Sequence, residues 1–167
     1  MNEAQPGVRR LTPQDIDAVS ALARVVWQAT YPALISQAQI DDMLEDRYSP
    51  ARISQQLVAP QHAWWVAQQN QALIGFAHAV FDDAACKLEK LYIHPDSQRQ
   101  GIGSTLLHAV QGWACRQQAD RLWLQVNRGN TQAIAAYQQY GFHIVESRVF
   151  DIGHGFVMDD FVMEQAL

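Results

Sequence analysis

The sequence predicts an α/β (α+β) fold, a mixed and mostly antiparallel sheet of six to seven strands flanked by helices, in one domain spanning residues 1–167. Three observations carry this expectation. Apolar residues recur at helical spacing behind Thr12-Pro13. Short runs rich in Trp, Val, Ile and Phe follow one another between turn dipeptides. At 86–118 a strand leads through a polar, glycine-containing loop into an amphipathic helix.

Taken in order, Val8 to Leu11 reads as a short strand, and Thr12 with Pro13 caps and opens a helix over 13–29 whose buried face is Ile16, Val19, Leu22, Ala23 and Val26. Helices follow at 36–45 and from Ser49-Pro50 to about 59, before Pro60 stops the helix. The runs 62–69 and 72–81 form an antiparallel hairpin across Asn70-Gln71. A strand at 86–93 comes after Asp82-Asp83, and the helix carrying Ile102, Leu106, Ala109, Val110 and Trp113 reaches 118. Then come a strand at 121–127, a helix at 130–140 closed by Gly141, and strands at 142–151 and 156–164 joined through Gly153-His154-Gly155.

Composition narrows the function classes. A hydrophobic fraction of 49% with 17% charged residues suits a folded globular chain. A formal charge of -5 argues against a nucleic-acid partner, which needs a basic face for phosphates. The start MNEAQPGVRR lacks the apolar stretch of a secretory leader, and no run approaches the length of a membrane span. Cys86 and Cys115 then read as reduced thiols of a cytoplasmic protein. The six histidines show no metal-ligand spacing, so no metal is expected. The assembly state is left open, a homodimer included.

The run from Leu88 to Ser104 suits a pyrophosphate, because unpaired N–H groups of a helix's first turn stabilise an anion and Gly101 and Gly103 let the backbone approach it. Arg99 adds a positive charge there. A dinucleotide fingerprint would need glycine at 106, where Leu106 stands, and a Walker loop would need Gly-Lys-Ser/Thr. The pattern present is Gln/Arg-x-x-Gly-x-Gly/Ala, from Gln98 to Gly103, and here the chain resembles the GCN5-related N-acetyltransferase (GNAT) family. The resemblance implies the GNAT fold and acetyl-CoA as co-substrate. It implies that the phosphates are cradled by Arg99, Gln100, Gly101, Ile102, Gly103 and Ser104, and that the pantetheine arm pairs with the backbone of Leu91, Tyr92 and Ile93. Leu91 and Ile93 also read as core residues, a role compatible with main-chain contacts.

Residues 122–142, LWLQVNRGNTQAIAAYQQYGF, resemble the family's second signature through Asn130, Ala133, Tyr137 and Gly141-Phe142. Asn130 and Tyr137 are seven residues apart, about two helical turns, and so share a face. An amine attacking a thioester expels a thiolate, and a phenol near the sulfur can protonate it, which makes Tyr137 the candidate general acid. Asn130 reads equally as a pantetheine ligand and as a helix cap. Glu89 is the candidate base, two residues from Leu91 and expected on the same strand face; a proton path through water, and a Glu89 that merely faces solvent or pairs with an Arg or Lys, stay open beside it.

Within the family, Trp27 to Tyr31, the acidic helix after it and the closing Phe150 to Met163 look like bacterial spermine/spermidine acetyltransferases. On that resemblance the acceptor is a small-molecule primary amine such as a polyamine. By charge alone, Asp41, Asp42, Glu45 and Asp46 read either as a negative rim that attracts such a cation or as the solvated face of a helix. A protein N-terminus or lysine is the alternative acceptor, and a non-catalytic CoA-binding sensor is the alternative to an enzyme. Asp159-Asp160 reads as a strand-edge or turn pair.

Overall fold

The computed structural model describes residues 5–167, so the first four residues of the start discussed above lie outside it. Strand β1 (Gly7–Arg10) leads into a single 3-10 turn at Pro13–Asp15 and then α1 (Ile16–Thr30). The one helix expected over 13–29 is thus split: Thr12 and Asp15 close a capping box over the first turn before regular helix begins. Next come α2 (Gln37–Tyr48), α3 (Pro50–Leu57), β2 (His62–Gln69), β3 (Ala72–Asp82), β4 (Ala85–Ile93), α4 (Ile102–Arg116), β5 (Arg121–Asn127), α5 (Thr131–Gln139), β6 (His143–Gly153) and β7 (Phe156–Ala166). Helix α2 outruns its expected end at 45 because Leu44 and Tyr48 are buried against α1 and the sheet.

The strands form one seven-stranded sheet in the order β1-β2-β3-β4-β5-β7-β6, antiparallel except where β4 meets β5. The β2–β3 turn is set by Asn70 and Gln71, both with positive φ, as a two-residue hairpin requires. Alternation along β2 divides the core between the faces. Trp64 and Val66 pack with Phe76, α1, α2 and α3, while Trp65 and Ala67 pack on the α4 side with Leu106, Val110 and Trp113. Helix α5 rests on that second side through Ala133, Ile134, Tyr137 and Tyr140.

Two irregularities shape the middle of the sheet. Strands β4 and β5 pair only at Ala85–Lys87 with Arg121–Trp123, so beyond Lys87 they diverge and β4 turns a main-chain edge toward the gap. The β3–β4 register also slips, with His78 opposite Lys90 but Ala79 opposite Leu88, which leaves Glu89 as the extra residue of a bulge.

Candidate active site

The gap between β4 and β5 opens into a cavity of about 560 Å³ lined from α1, α2, β4, the loop before α4, β5, α5 and β7. At one end lies the start of α4. Ser36, Ser49 and Asn130 each cap their helix with a side-chain oxygen, but α4 has no side-chain cap. Gly101 occupies its N-cap at φ 77, a left-handed conformation that costs glycine little. The first backbone closure is Thr105 N–H to Gly101 C=O at 3.1 Å, leaving the preceding amides of the helix start to an outside acceptor. A Cβ on Gly103 would meet Tyr140 Oη at 3.1 Å, so a small residue keeps α4 and α5 close at this end.

Of the residues singled out from the sequence, Glu89, Leu91, Tyr92, Ile93, Arg99, Gly101, Gly103, Asn130 and Tyr137 line this cavity. Gln100, Ile102 and Ser104 do not: Gln100 is exposed and Ile102 is buried against the sheet. Any contact of Ile102 with a ligand would therefore be made by its main-chain N–H group. Leu91 packs on the α4 side and Tyr92 on the α1 side.

Asn130 caps α5, its Oδ1 accepting from Ala133 N–H at 3.3 Å. Tyr137 is half-buried, its ring edge-on to Phe142 at 5.6 Å, and burial pushes its phenol well above the ordinary value, so it keeps its proton. Glu89 departs from expectation because the bulge breaks the alternation. It pairs with Lys87 at 3.1 Å and also borders a smaller cleft with Asp46, Arg52 and His62, away from the core that takes Leu91. Burial works to raise its carboxyl, but Lys87 and Lys90 outweigh that and hold it below the ordinary range.

The acidic rim is not formed at the cavity. Asp42 binds His154 at 2.7 Å, Asp46 binds Arg52 at 3.0 Å, and α2 offers the cavity Met43, Arg47 and Tyr48 instead. Nor is Asp160 at an edge or turn. Strand β7 sits between β5 and β6, and Asp160 is buried in the cavity lining, 3% exposed, with Oδ2 accepting from Gln125 at 3.4 Å and Oδ1 without a partner. Arg47, Lys87, Lys90 and Gln125 also line the cavity without belonging to any motif; Lys87, Lys90 and Gln125 meet through the sheet's strand order, and Arg47 reaches them from α2. Tyr31 joins Trp27, Tyr48 and Tyr92 in an aromatic wall.

Among the described residues, no three His, Cys, Asp or Glu side chains gather as a metal site would, and no helix is long and apolar enough to cross a membrane. Residues 24–142 match the acetyltransferase (GNAT) family. A spermidine N(1)-acetyltransferase of Thermoplasma acidophilum is 24% identical over 156 residues, 91% of this chain and 94% of its own. The ribosomal protein bS18-alanine N-acetyltransferase of Escherichia coli is 36% identical over 77 residues, 45% of this chain and 51% of its own. The solved structure of PaiA N-acetyltransferase from T. acidophilum in complex with coenzyme A aligns with a TM-score of 0.85 at 24% identity, over 98% of this chain and all of that one.

Proposed function

The chain belongs to the GNAT family of N-acetyltransferases, and from that premise we propose that it transfers acetyl from acetyl-CoA directly to the primary amine of a small molecule, with the whole chain as one catalytic domain. The observation that carries this reading is the β4–β5 divergence ending at an uncapped, glycine-started helix, with Tyr137 lining the same cavity. Acetyl-CoA supplies the activated acetyl group as a thioester. The free main-chain edge from Leu91 to Ile93 suits an amide-bearing arm, and Arg99 with the amides of Gly101 to Ser104 suits a pyrophosphate. Tyr137 holds a proton through the neutral range and is the donor to the leaving sulfur. Glu89 is ionised at the same pH and receives the amine's proton, directly or through water.

A small acceptor is supported by the cavity, whose 560 Å³ must also take the acyl end of the co-substrate. The spermidine enzyme among the relatives supports a polyamine-sized amine, and the bS18-alanine enzyme supports a protein N-terminus as the second reading. Two free cysteines, Cys86 buried and Cys115 exposed, support a reducing, cytoplasmic setting. Calorimetric titration with acetyl-CoA tests the co-substrate assignment. Arg99→Gln and Gly103→Leu should each weaken binding by about 10-fold or more, as loss of a charge-assisted contact or of close approach would. A wild-type chain that does not bind acetyl-CoA overturns the reading.

A further inference from the structure

The acceptor end of the cavity holds five charged side chains, Arg47, Lys87, Glu89, Lys90 and Asp160. Three of them are already engaged. Lys87 pairs with Glu89 at 3.1 Å and donates to Gln125 Oε1 at 2.5 Å. Lys90 is buried against His78 Nδ1 at 3.1 Å, over the rings of Tyr48 and Trp64 at 5.2 and 5.1 Å. What remains is one cation and one anion. Arg47 makes no hydrogen bond or ion pair with any described residue, and Asp160 is buried with Oδ1 unpartnered. Arg47 lines this cavity beside Met43 and Tyr48 and also borders the smaller cleft, and its charge acts on the Asp160 carboxyl.

We infer that the acceptor is a small zwitterion, an amino acid or a molecule of the same charge pattern, whose ammonium is held by Asp160 and whose anionic group is held by Arg47. This deepens the small-amine reading and rests on it. A buried carboxylate oxygen with no donor calls for one, and a substrate ammonium supplies both donor and countercharge. Burial pushes the Asp160 carboxyl up against the pull of the Gln125 hydrogen bond and the Arg47 and Lys87 charges, and a bound ammonium would hold it ionised. A guanidinium at a cavity wall offers a carboxylate two parallel hydrogen bonds. A polycation matches this lobe poorly: after its first ammonium takes Asp160, the next meets Arg47, Lys87 and Lys90 rather than a second free carboxylate. The aromatic wall of Trp27, Tyr31, Tyr48 and Tyr92 suits an apolar body between the two charges.

The test uses the full chain, acetyl-CoA and matched acceptors: leucine and phenylalanine, their decarboxylated amines isopentylamine and phenethylamine, and spermidine, with thiol release as the readout. The amino acids should exceed their decarboxylated partners in kcat/KM by about 10-fold or more, the worth of one charge-assisted contact. Arg47→Gln should abolish that preference by raising the amino-acid KM while acetyl-CoA affinity, read by calorimetry, stays within about twofold, and Arg47→Lys should restore part of it. Asp160→Asn, nearly isosteric, should lower kcat/KM for amino acids and simple amines alike. Spermidine or the decarboxylated amines turned over as well as the amino acids, an indifferent Arg47→Gln, or no turnover of any amino acid by a chain that binds acetyl-CoA would each overturn the inference. Failure of the wild type to bind acetyl-CoA would instead remove the parent reading, and calorimetry tells the two failures apart.

Discussion

Tyr31 and Tyr92 share a hydrogen bond, hydroxyl to hydroxyl at 2.8 Å, which ties α1 to β4 at the wall of the cavity. Burial raises both phenols, so both stay protonated and one donates to the other. Tyr31→Phe should cost about 1–2 kcal/mol, since Tyr92 keeps a buried hydroxyl without its partner. The double variant Tyr31→Phe/Tyr92→Phe should lose less than the sum of the singles. Urea unfolding of all four proteins checks this, and strictly additive losses would mean the bond contributes nothing.

Tyr137→Phe should leave acetyl-CoA affinity unchanged and lower kcat by about 100-fold or more, the range for loss of a general acid. Because its proton is held well above the ordinary phenol range, wild-type kcat should show no ionisation of this group between pH 6 and 9. Steady-state kinetics across that interval measure both.

Glu89→Gln should lower kcat at pH 7 by about 10-fold or more without moving the acetyl-CoA affinity. Lys87 and Lys90 keep Glu89 ionised, so the wild type should lose activity through this group only well into acid. A variant with full kcat would assign the proton to another acceptor.

Lys90 gives a pH dependence of stability. Burial pushes its ammonium down to about 8, while an unfolded lysine binds its proton to about 10.4. Between those values the unfolded chain holds more protons, so this group makes the fold more stable as pH rises from 8, by at most about 1.4 kcal/mol per unit. Below pH 8 the cost of burying the charge is present in full. Lys90→Met should gain on the wild type at pH 7 and the difference should shrink toward pH 10, as read from denaturant midpoints at each pH.

The parts of this fold that were legible are those with a local physical signal. Asn70 marks its turn because asparagine visits positive φ more readily than most residues, and the expected strand at 121–127 coincides with β5 because alternating Leu122, Leu124 and Val126 face the core. Gly101 marks the start of α4 and Asn130 the start of α5, where it caps the helix as its side-chain chemistry suggests. What was not legible depends on strand order and register. A bulge has no residue signature here, so Glu89 was assigned the face of Leu91 by alternation alone. Insertion of β7 between β5 and β6 turned Asp160 from an apparent edge residue into a buried carboxylate facing Gln125. The acidic stretch of α2 read as a cavity rim because charge counting does not say which side of a helix is covered, and Arg47 holds that position instead.

Acetyl transfer to a small amine is tested by mass-spectrometric detection of acetylated product, together with thiol release, from acetyl-CoA and a panel of amino acids, diamines, spermidine and short peptides. Acetyl-CoA-dependent acetylation of a small-molecule amine is expected, falling by about 100-fold or more in Tyr137→Phe. Acetylation confined to peptides would contradict the small-acceptor claim, and acetylation undiminished by Tyr137→Phe would contradict the assignment of the acid.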